Sequence, residues 1–347
     1  FVNVEKVLHV SALRLENRVR CEIQPVHRLG NLVLADVERR QQAHHVVARR
    51  DHQQVRVAGG GGDNAAGAAG VGVVRDGDAL LSLGLAVIFG MLRVINFAHG
   101  AQYMLGAFGA YLLLNKLGLG YWWALLIVPL VVGATGVIIE RTMLARLYKL
   151  DHLYGLLLTF GLALIIQGFF RNKYGSTGLP YAMPEQLQGG INLGFMFLPI
   201  YRGWVIIASL IICLATWFVI ERTKLGGYLR AATENPQMVQ AFGINVPLML
   251  TLTYAAGVAL AGLAGAMAAP IYQVSPLMGS NIIIVVFAVV VVGGMGSIMG
   301  AIVTGYLLGI AEGLTKVFYP EASNIVIFVI MAIVLILRPA GLFGKEA

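Results

Sequence analysis

Nine apolar stretches between residue 79 and the C-terminus constrain the fold of this chain more than any other feature. A bilayer is spanned by about 20 mostly apolar helical residues. By that rule we predict membrane helices at nine ranges: 80–96, 100–115, 121–140, 153–170, 203–220, 247–268, 282–299, 302–318 and 324–337. The number is uncertain by one, because glycines at 293–296 interrupt the seventh stretch and allow one kinked helix or two short ones. The predicted fold is therefore an all-α, polytopic integral membrane protein with about 8–9 transmembrane helices.

The composition excludes an ordinary soluble enzyme. Only 12% of the residues are charged and 58% are hydrophobic, whereas a soluble domain carries about 25% charged residues. A net charge of +8 is common in membrane proteins with basic cytoplasmic loops, so we predict membrane lipid and no nucleic acid as a partner. Cys21 lies in the charged region before residue 79 and Cys213 in the apolar region after it, so the two cysteines indicate neither a disulfide framework nor a metal-ligand spacing.

Residues 1–78 differ sharply from the rest of the chain. They hold 20 of the 42 charged residues and five of the seven histidines, but one of the 32 aromatic residues. We interpret them as a non-membrane segment that is either disordered or an out-of-frame translation. The second interpretation arises because codons for residues 73–80 can be chosen that, shifted by one base, encode an apolar sequence suited to precede the first helix. A basic arm on anionic lipid and a metal site at His44, His45 and His52 are weaker alternatives. Residues 79–347 form the predicted membrane domain.

The distribution of Lys and Arg predicts the orientation of the membrane domain. If the loop 141–152 is cytoplasmic, then 221–246 and the tail 338–347 are cytoplasmic too. That side carries nine Lys or Arg residues and the other side five, which agrees with the excess of positive charge usual on the cytoplasmic side. The Glu-Arg pairs that begin at Glu140 and Glu221 each end a helix on this side, and we interpret them as interfacial anchors or contacts with a cytoplasmic partner.

A short amphipathic helix is predicted within the loop 221–246. Asn235 is a suitable N-cap, Pro236 suits the first turn, and Gly243 suits the C-terminal stop. On a helix from Pro236 to Phe242, the two glutamines are exposed and the opposite face carries Met238, Val239 and Phe242. The helix either docks into a groove on another protein or lies on the membrane surface between two spans.

Several polar residues fall inside the apolar stretches, where an unpaired polar group is costly. Asn96 and His99 lie at a predicted membrane-embedded turn and either satisfy backbone groups or line a substrate path. A second set could hydrogen-bond a zwitterion in transit or join helices, and joining helices is favoured: Thr159, Gln167, Thr251, Thr253 and Tyr254. Small residues that allow close helix packing recur at Ala256, Gly257, Ala261, Gly262, Ala264 and Gly265.

The sequence contains no pattern that indicates catalysis. Glu312 is an acid well inside a predicted span, and such acids are functional candidates, but Lys316 stands at i+4, where it can form a structural ion pair. The segment Gly293–Ser297 lacks the lysine of a Walker motif. No nucleophile–base pair has supporting spacing, so we predict a non-enzyme without a cofactor.

Five separated motifs carry a family resemblance over residues 80–347. They are Val-Ile-Asn-Phe-Ala-His-Gly at 94–100, Gln-Tyr-Met-Leu-Gly-Ala at 102–107, Glu-Asn-Pro at 234–236, Gly-Ile-Asn at 243–245 and Leu-Arg-Pro-Ala-Gly-Leu-Phe at 337–343. Together they resemble the branched-chain amino acid ABC transporter permease family. The Ala-Ala pair at 231–232, followed by Gly243, also resembles the coupling loop of ABC-importer permeases.

The resemblance implies one permease subunit of an ATP-driven importer in the cell inner membrane, with its C-terminus in the cytoplasm. The implied partners are a second homologous permease, two ABC ATPase subunits and an external substrate-binding protein. The implied ATPase-coupling residues are Arg230, Ala231, Ala232, Glu234, Asn235 and Gly243. Our candidates for the translocation path are Asn96, His99, Gln102, Tyr103 and Thr159.

Three alternatives to a branched-chain amino acid importer stay open from the sequence. The same architecture could carry urea, a short amide or another amino acid. A proton-coupled secondary carrier would use Glu312. A damaged N-terminus would leave a permease that does not fold.

Overall fold

The structure is a computed structural model that describes residues 78–92, 95–148, 150–192, 197–323 and 325–344. These ranges contain nearly all of the predicted membrane domain. The interpretations of residues 1–77, including the histidine site and the shifted reading frame, lie outside the described residues.

The described residues form eleven α-helices in chain order. They are α1 Asp78–Leu92, α2 Ala98–Leu117, α3 Tyr121–Ile139, α4 His152–Tyr174, α5 Ile200–Arg222, α6 Lys224–Glu234, α7 Pro236–Ala241, α8 Val246–Ala268, α9 Met278–Gly293, α10 Ile298–Phe318 and α11 Val326–Leu337. Helix α3 continues through a π-helical turn, Glu140–Leu144, and a last α-helical turn, Ala145–Leu147. Short 3₁₀ turns lie at Glu185–Leu187 and Pro320–Ala322.

Within the described residues, α3, α4, α5, α8 and α10 are long and apolar enough to cross a membrane. Helices α1, α9 and α11 are apolar but shorter, and α2 has 20 residues of mixed composition. These nine helices coincide with the nine predicted apolar stretches. The prediction of an all-α, polytopic membrane protein is confirmed.

For the stretch 282–299, the sequence left open one kinked helix or two short ones, and the structure has a helix end at the glycine run. Helix α9 ends at Gly293, and Gly294 and Gly296 adopt φ of 98° and 91°, a left-handed conformation that favours glycine. The next helix begins after Ser297, whose Oγ accepts a hydrogen bond from Gly300 N at 3.0 Å. The glycine run therefore separates two helices, and α10 starts at Ile298 rather than at 302.

The loop between α4 and α5 contains the described β-structure. Strand β1, Gly190–Asn192, pairs antiparallel with β2, Phe197–Pro199. Earlier in this loop, Leu179 and Val274 exchange two backbone hydrogen bonds of 2.9 Å. This bridge ties the loop to the segment that follows α8.

Helix α8 lies at the centre of the domain and packs against α1, α2 and α3. A Cβ at Gly265 would overlap the backbone carbonyl of Tyr103 on α2, and a Cβ at Gly257 would lie 2.8 Å from the carbonyl oxygen of Gly84 on α1. Small residues let helix backbones approach this closely in a membrane. The predicted small-residue face is therefore the central packing surface, except that Ala256 is exposed.

A large side chain at Gly265 should destabilise the protein strongly. We expect Gly265→Leu to lower the free energy of unfolding by about 3 kcal/mol or more, because the backbone of α2 leaves no room for it, and Gly265→Ala to show a smaller effect of the same sign. Ala256→Leu on the same helix is the matched control and should be close to wild type. Thermal unfolding of the purified protein in detergent measures all three. A wild-type melting temperature for Gly265→Leu would contradict this packing.

Candidate functional site

The break between α1 and α2 is held by a threonine from α4. The Oγ1 atom of Thr159 accepts a hydrogen bond from Phe97 N at 3.2 Å and lies 3.3 Å from the carbonyl oxygen of Ile95. Thr159 is fully buried. It therefore satisfies the Phe97 N–H, a backbone group that the helix break leaves without a helical partner, while its own hydroxyl proton lies nearer Leu156 O, at 3.0 Å.

A buried cluster of Asn96, Gln102 and Tyr254, here called the polar triad, joins this break to α8. Asn96 Nδ2 lies 3.2 Å from both Gln102 Oε1 and the Tyr254 hydroxyl, and Gln102 Nε2 donates to the same hydroxyl at 3.2 Å. All three side chains are at most 1% exposed. Of the two roles open to Tyr254 from the sequence, joining helices or contacting substrate, the structure places it as the acceptor that links α8 to the break.

His99 fastens α2 to α1. Its ring is fully buried, and Nε2 lies 3.0 Å from the carbonyl oxygen of Leu81. A hydrogen bond to a carbonyl requires the proton on Nε2. Within the described residues no group of three or more His, Cys, Asp or Glu side chains is arranged to hold a metal ion.

Tyr103 lines a cavity of about 480 Å³ beside the start of α9. Gln273, Ser275 and Asn281 line the same cavity. The five candidates for the translocation path thus lie in two kinds of environment. Tyr103 faces a cavity, whereas the other four lie in the packing between helices.

Glu140 is buried, which differs from the interfacial role predicted for it. Its carboxylate accepts hydrogen bonds from the Tyr148 hydroxyl at 3.1 Å and from Thr251 Oγ1 at 2.7 Å. The π-helical turn that begins at Glu140 aims this carboxylate at α8 instead of at solvent. Burial, together with the negative charge of Glu140, raises the pKa of the Tyr148 phenol above its ordinary value, so the phenol stays a protonated donor.

The second Glu-Arg pair has a different environment. Glu221 is exposed, and its carboxylate forms an ion pair of 3.0 Å with Arg230 on α6. Both side chains are more than 40% exposed, so the pair contributes little to stability. The two Glu-Arg pairs are therefore similar in sequence but differ in their structural roles.

Helix α7 forms as predicted and begins at the predicted cap. Asn235 Oδ1 accepts a hydrogen bond from Met238 N at 3.0 Å. After the helix, Gly243 adopts a φ of 80°, which turns the chain toward α8. Val239 packs with Ala232 of α6 and Val246 of α8 in a small buried cluster. The coupling candidates Ala231 and Glu234 are exposed on α6.

Met238 in α7 and Phe242, directly after its last residue, are exposed, contrary to the predicted inward face. Met238 is 59% exposed and Phe242 is 79% exposed, whereas Val239 is 6% exposed. A helix this short rests on its neighbours through one side chain, so its other apolar residues stay uncovered. Helix α7 and the adjacent Phe242 therefore present an apolar surface that the described residues do not bury.

Sequence reasoning missed the glycine that positions α6 against α5. A Cβ at Gly226 would overlap the carbonyl oxygen of Ile220 at the end of α5. Helix α6 can therefore fold back onto α5 only without a side chain at this position. The adjacent glycines at 226 and 227 are the signal that could have indicated a tight corner.

Removal of the Tyr254 hydroxyl should destabilise the domain. In Tyr254→Phe, the side-chain amides of Asn96 and Gln102 lose a shared acceptor, and a buried donor without a partner costs about 1–3 kcal/mol. We expect a lower unfolding temperature in detergent than for wild type. Tyr154→Phe removes an exposed hydroxyl on α4 and is the matched control. Equal unfolding of both variants would show that the polar triad contributes nothing.

Comparisons of the chain with family models and with curated proteins agree on one family. Residues 79–335 match the family model described as the permease component of branched-chain amino acid transport systems. The chain is 28% identical over 282 residues to the high-affinity branched-chain amino acid transport permease LivH of Escherichia coli K12, and 30% identical over 285 residues to BraD of Pseudomonas aeruginosa. Each alignment covers 77% of this chain and 91% of the relative.

A more distant relative is the permease LivM of Escherichia coli K12, at 27% identity over 291 residues. That alignment covers 76% of this chain and 67% of LivM. No solved structure matches the chain significantly. The family model spans the nine membrane helices almost completely, and the chain belongs to the branched-chain amino acid transport permease family.

Proposed function

We propose that the chain is a permease subunit of an ATP-driven importer that moves branched-chain amino acids across the cytoplasmic membrane. The observation that carries this proposal is the exposed apolar surface of α7, on a chain whose relatives are transport permeases. The energy source is an ATPase partner that docks on α7. The chain itself serves as the membrane passage and not as an enzyme.

The surface of α7 suits a protein groove. Short amphipathic helices bind such grooves through a few apolar side chains, and Met238 and Phe242 are available for this contact. Val239 anchors the helix to the membrane domain from its other side. A movement of the partner is thereby passed on to α6 and α8.

Helix α8 is the route from α7 into the membrane. Its N-cap, Asn245, accepts a hydrogen bond from Leu248 N at 3.1 Å, four residues after the end of α7. One and a half turns into the helix, Thr251 contacts the carboxylate of Glu140, and three residues further on Tyr254 contacts the other two members of the polar triad, Asn96 and Gln102. A displacement of α7 therefore reaches both the π-helical turn of α3 and the break between α1 and α2.

The relatives of the chain also support the other subunits that we propose for the importer. The relative named LivM supports a second homologous permease beside this chain, and two ATPase subunits and an external substrate-binding protein complete the importer. Residues 79–347 are the permease domain, and 221–246 is its coupling loop. The start of the family match at residue 79 supports placing the preceding residues outside this domain. The coupling loop and the C-terminus lie in the cytoplasm.

Leucine uptake tests the cargo and the energy source. The chain is expressed with a second permease, the ATPases and the binding protein, and labelled leucine is supplied at low concentration. We expect ATP-dependent uptake that unlabelled isoleucine and valine block and urea does not. Uptake of urea in place of leucine would keep the ATP-driven permease and replace the cargo.

Substitution of Phe242 tests the coupling surface. A carboxylate at this position would have to be desolvated in an apolar groove, so Phe242→Asp should reduce leucine uptake at least about tenfold and reduce ATPase co-purification. Tyr319→Asp is the matched control, because Tyr319 is 70% exposed and lies far along the chain, after α10. Wild-type uptake and co-purification in Phe242→Asp would refute docking through α7.

Substitution of Glu312 distinguishes an ATP-driven importer from a proton-coupled carrier. Its buried carboxylate lies 2.7 Å from Lys316 Nζ, one turn along α10, which supports a structural ion pair. We expect Glu312→Gln to keep most of the ATP-dependent uptake, since an ATPase and not a proton supplies the energy. Complete loss of uptake in a correctly inserted Glu312→Gln protein, together with uptake driven by a proton gradient in wild type, would favour the carrier.

A further inference from the structure

A groove of about 470 Å³ runs between α2, α3 and α4 on the outside of the membrane domain. Its walls are apolar, with Leu105 and Leu112 from α2 and Val131 from α3. One end carries Lys116 and Lys173, which lie near the C-termini of α2 and α4. The groove is thus apolar along its length and positively charged at one end.

The dimensions of the groove match one leaflet of a bilayer. Eleven residues separate Leu105 from Lys116, which corresponds to about 16 Å along a helix. Half of a hydrocarbon core about 30 Å thick is about 15 Å. Trp122 and Trp123, in the first turn of α3, are 42% and 58% exposed, and exposed tryptophans are typical of the membrane–water interface. The lysines therefore lie at headgroup level, and the apolar part of the groove lies at acyl-chain level.

The wall of the groove on α4 is ordered by aromatic packing. Phe108, buried on α2, lies 4.6 Å from Phe170 and 5.2 Å from Tyr174, measured between ring centroids. The Nζ atom of Lys173 lies 5.9 Å from the centre of the Tyr174 ring. The same Nζ atom lies 5.8 Å from the centre of the Phe169 ring, so two aromatic rings hold the ammonium group at this end of α4.

Both lysines are available for an anion. Among the described residues, neither Lys116 nor Lys173 has a carboxylate within ion-pair distance. Both side chains are exposed. Lys and Arg side chains are attracted to anionic lipid headgroups, so two lysines at one site favour an anionic headgroup over a zwitterionic one.

We propose that this groove binds one anionic phospholipid. Its phosphate contacts Lys116 and Lys173, and one acyl chain lies along Leu105, Leu112 and Val131. The combination of a charged mouth, an apolar channel and the length of one leaflet matches a single lipid molecule. The site is distinct from the coupling surface and from the polar triad.

Native mass spectrometry of the delipidated permease complex tests this site. Phosphatidylglycerol and phosphatidylcholine are titrated in parallel, and we expect at least about tenfold tighter retention of phosphatidylglycerol. The double variant Lys116→Gln/Lys173→Gln should lose this preference. Lys224→Gln removes an exposed lysine outside the groove and should keep it. Equal retention of the two lipids by wild type, or an unchanged preference in the double variant, would overturn the proposal.

A larger side chain in the wall of the groove provides a second, independent test of lipid binding. Val131 is 57% exposed at the groove wall, so Val131→Phe should occupy the channel and weaken phosphatidylglycerol retention without disturbing the core. Val219→Phe on α5, at a position 45% exposed, is the matched control. Unchanged retention in Val131→Phe would overturn the placement of the acyl chain.

Photocrosslinking distinguishes a lipid from a protein occupant. A benzophenone amino acid in place of Val131 is irradiated in the membrane, within the complete importer. An adduct with a phospholipid supports the proposal. An adduct with another subunit would overturn it and assign the groove to a subunit interface.

Discussion

The close packing of α8 against α1, α2 and α3 is the constraint on which the rest of the structure depends. A side chain at Gly265 would overlap the backbone of α2, and one at Gly257 would crowd α1. Helices in lipid gain little from the hydrophobic effect on associating with one another, so dispersion at short distance and hydrogen bonds must hold them together. Small residues on α8 supply the short distance, and this brings its few polar side chains within reach of three neighbouring helices.

The polar contacts of α8 form a series that begins at the coupling loop. Val246 packs against α7, Thr251 binds the carboxylate of Glu140, and Tyr254 completes the polar triad. Each polar contact joins α8 to a place where a neighbouring helix departs from regular geometry: the π-helical turn of α3 or the break between α1 and α2. Irregular turns of this kind often lie at functional sites. The exposed surface at α7 and the buried polar triad are thus linked by one continuous helix.

The sequence predicts the local features of this architecture well, because they depend on neighbouring residues. Apolar run lengths locate nine helices, and Asn235 before Pro236 marks the start of α7. The predictions that were wrong depend on distant contacts. A π-helical turn aims Glu140 away from the interface and at Thr251, which is 111 residues away, and the small contact area of α7 leaves Met238 and Phe242 uncovered. The polar triad requires Asn96 and Tyr254 to meet across 158 residues, a pairing that periodicity cannot reveal.

We propose that α7 and α8 move as one body when the ATPase partner changes state. Double electron–electron resonance in the assembled importer tests this joint movement most directly. It measures the distance between two spin labels, one in place of Gln237 on α7 and one in place of Leu252 on α8, both of which are exposed. We expect the distance between these labels to stay the same with and without bound nucleotide. The distance from Gln237 to a label in place of Tyr319 should change. A nucleotide-dependent change within the α7–α8 pair would contradict the account.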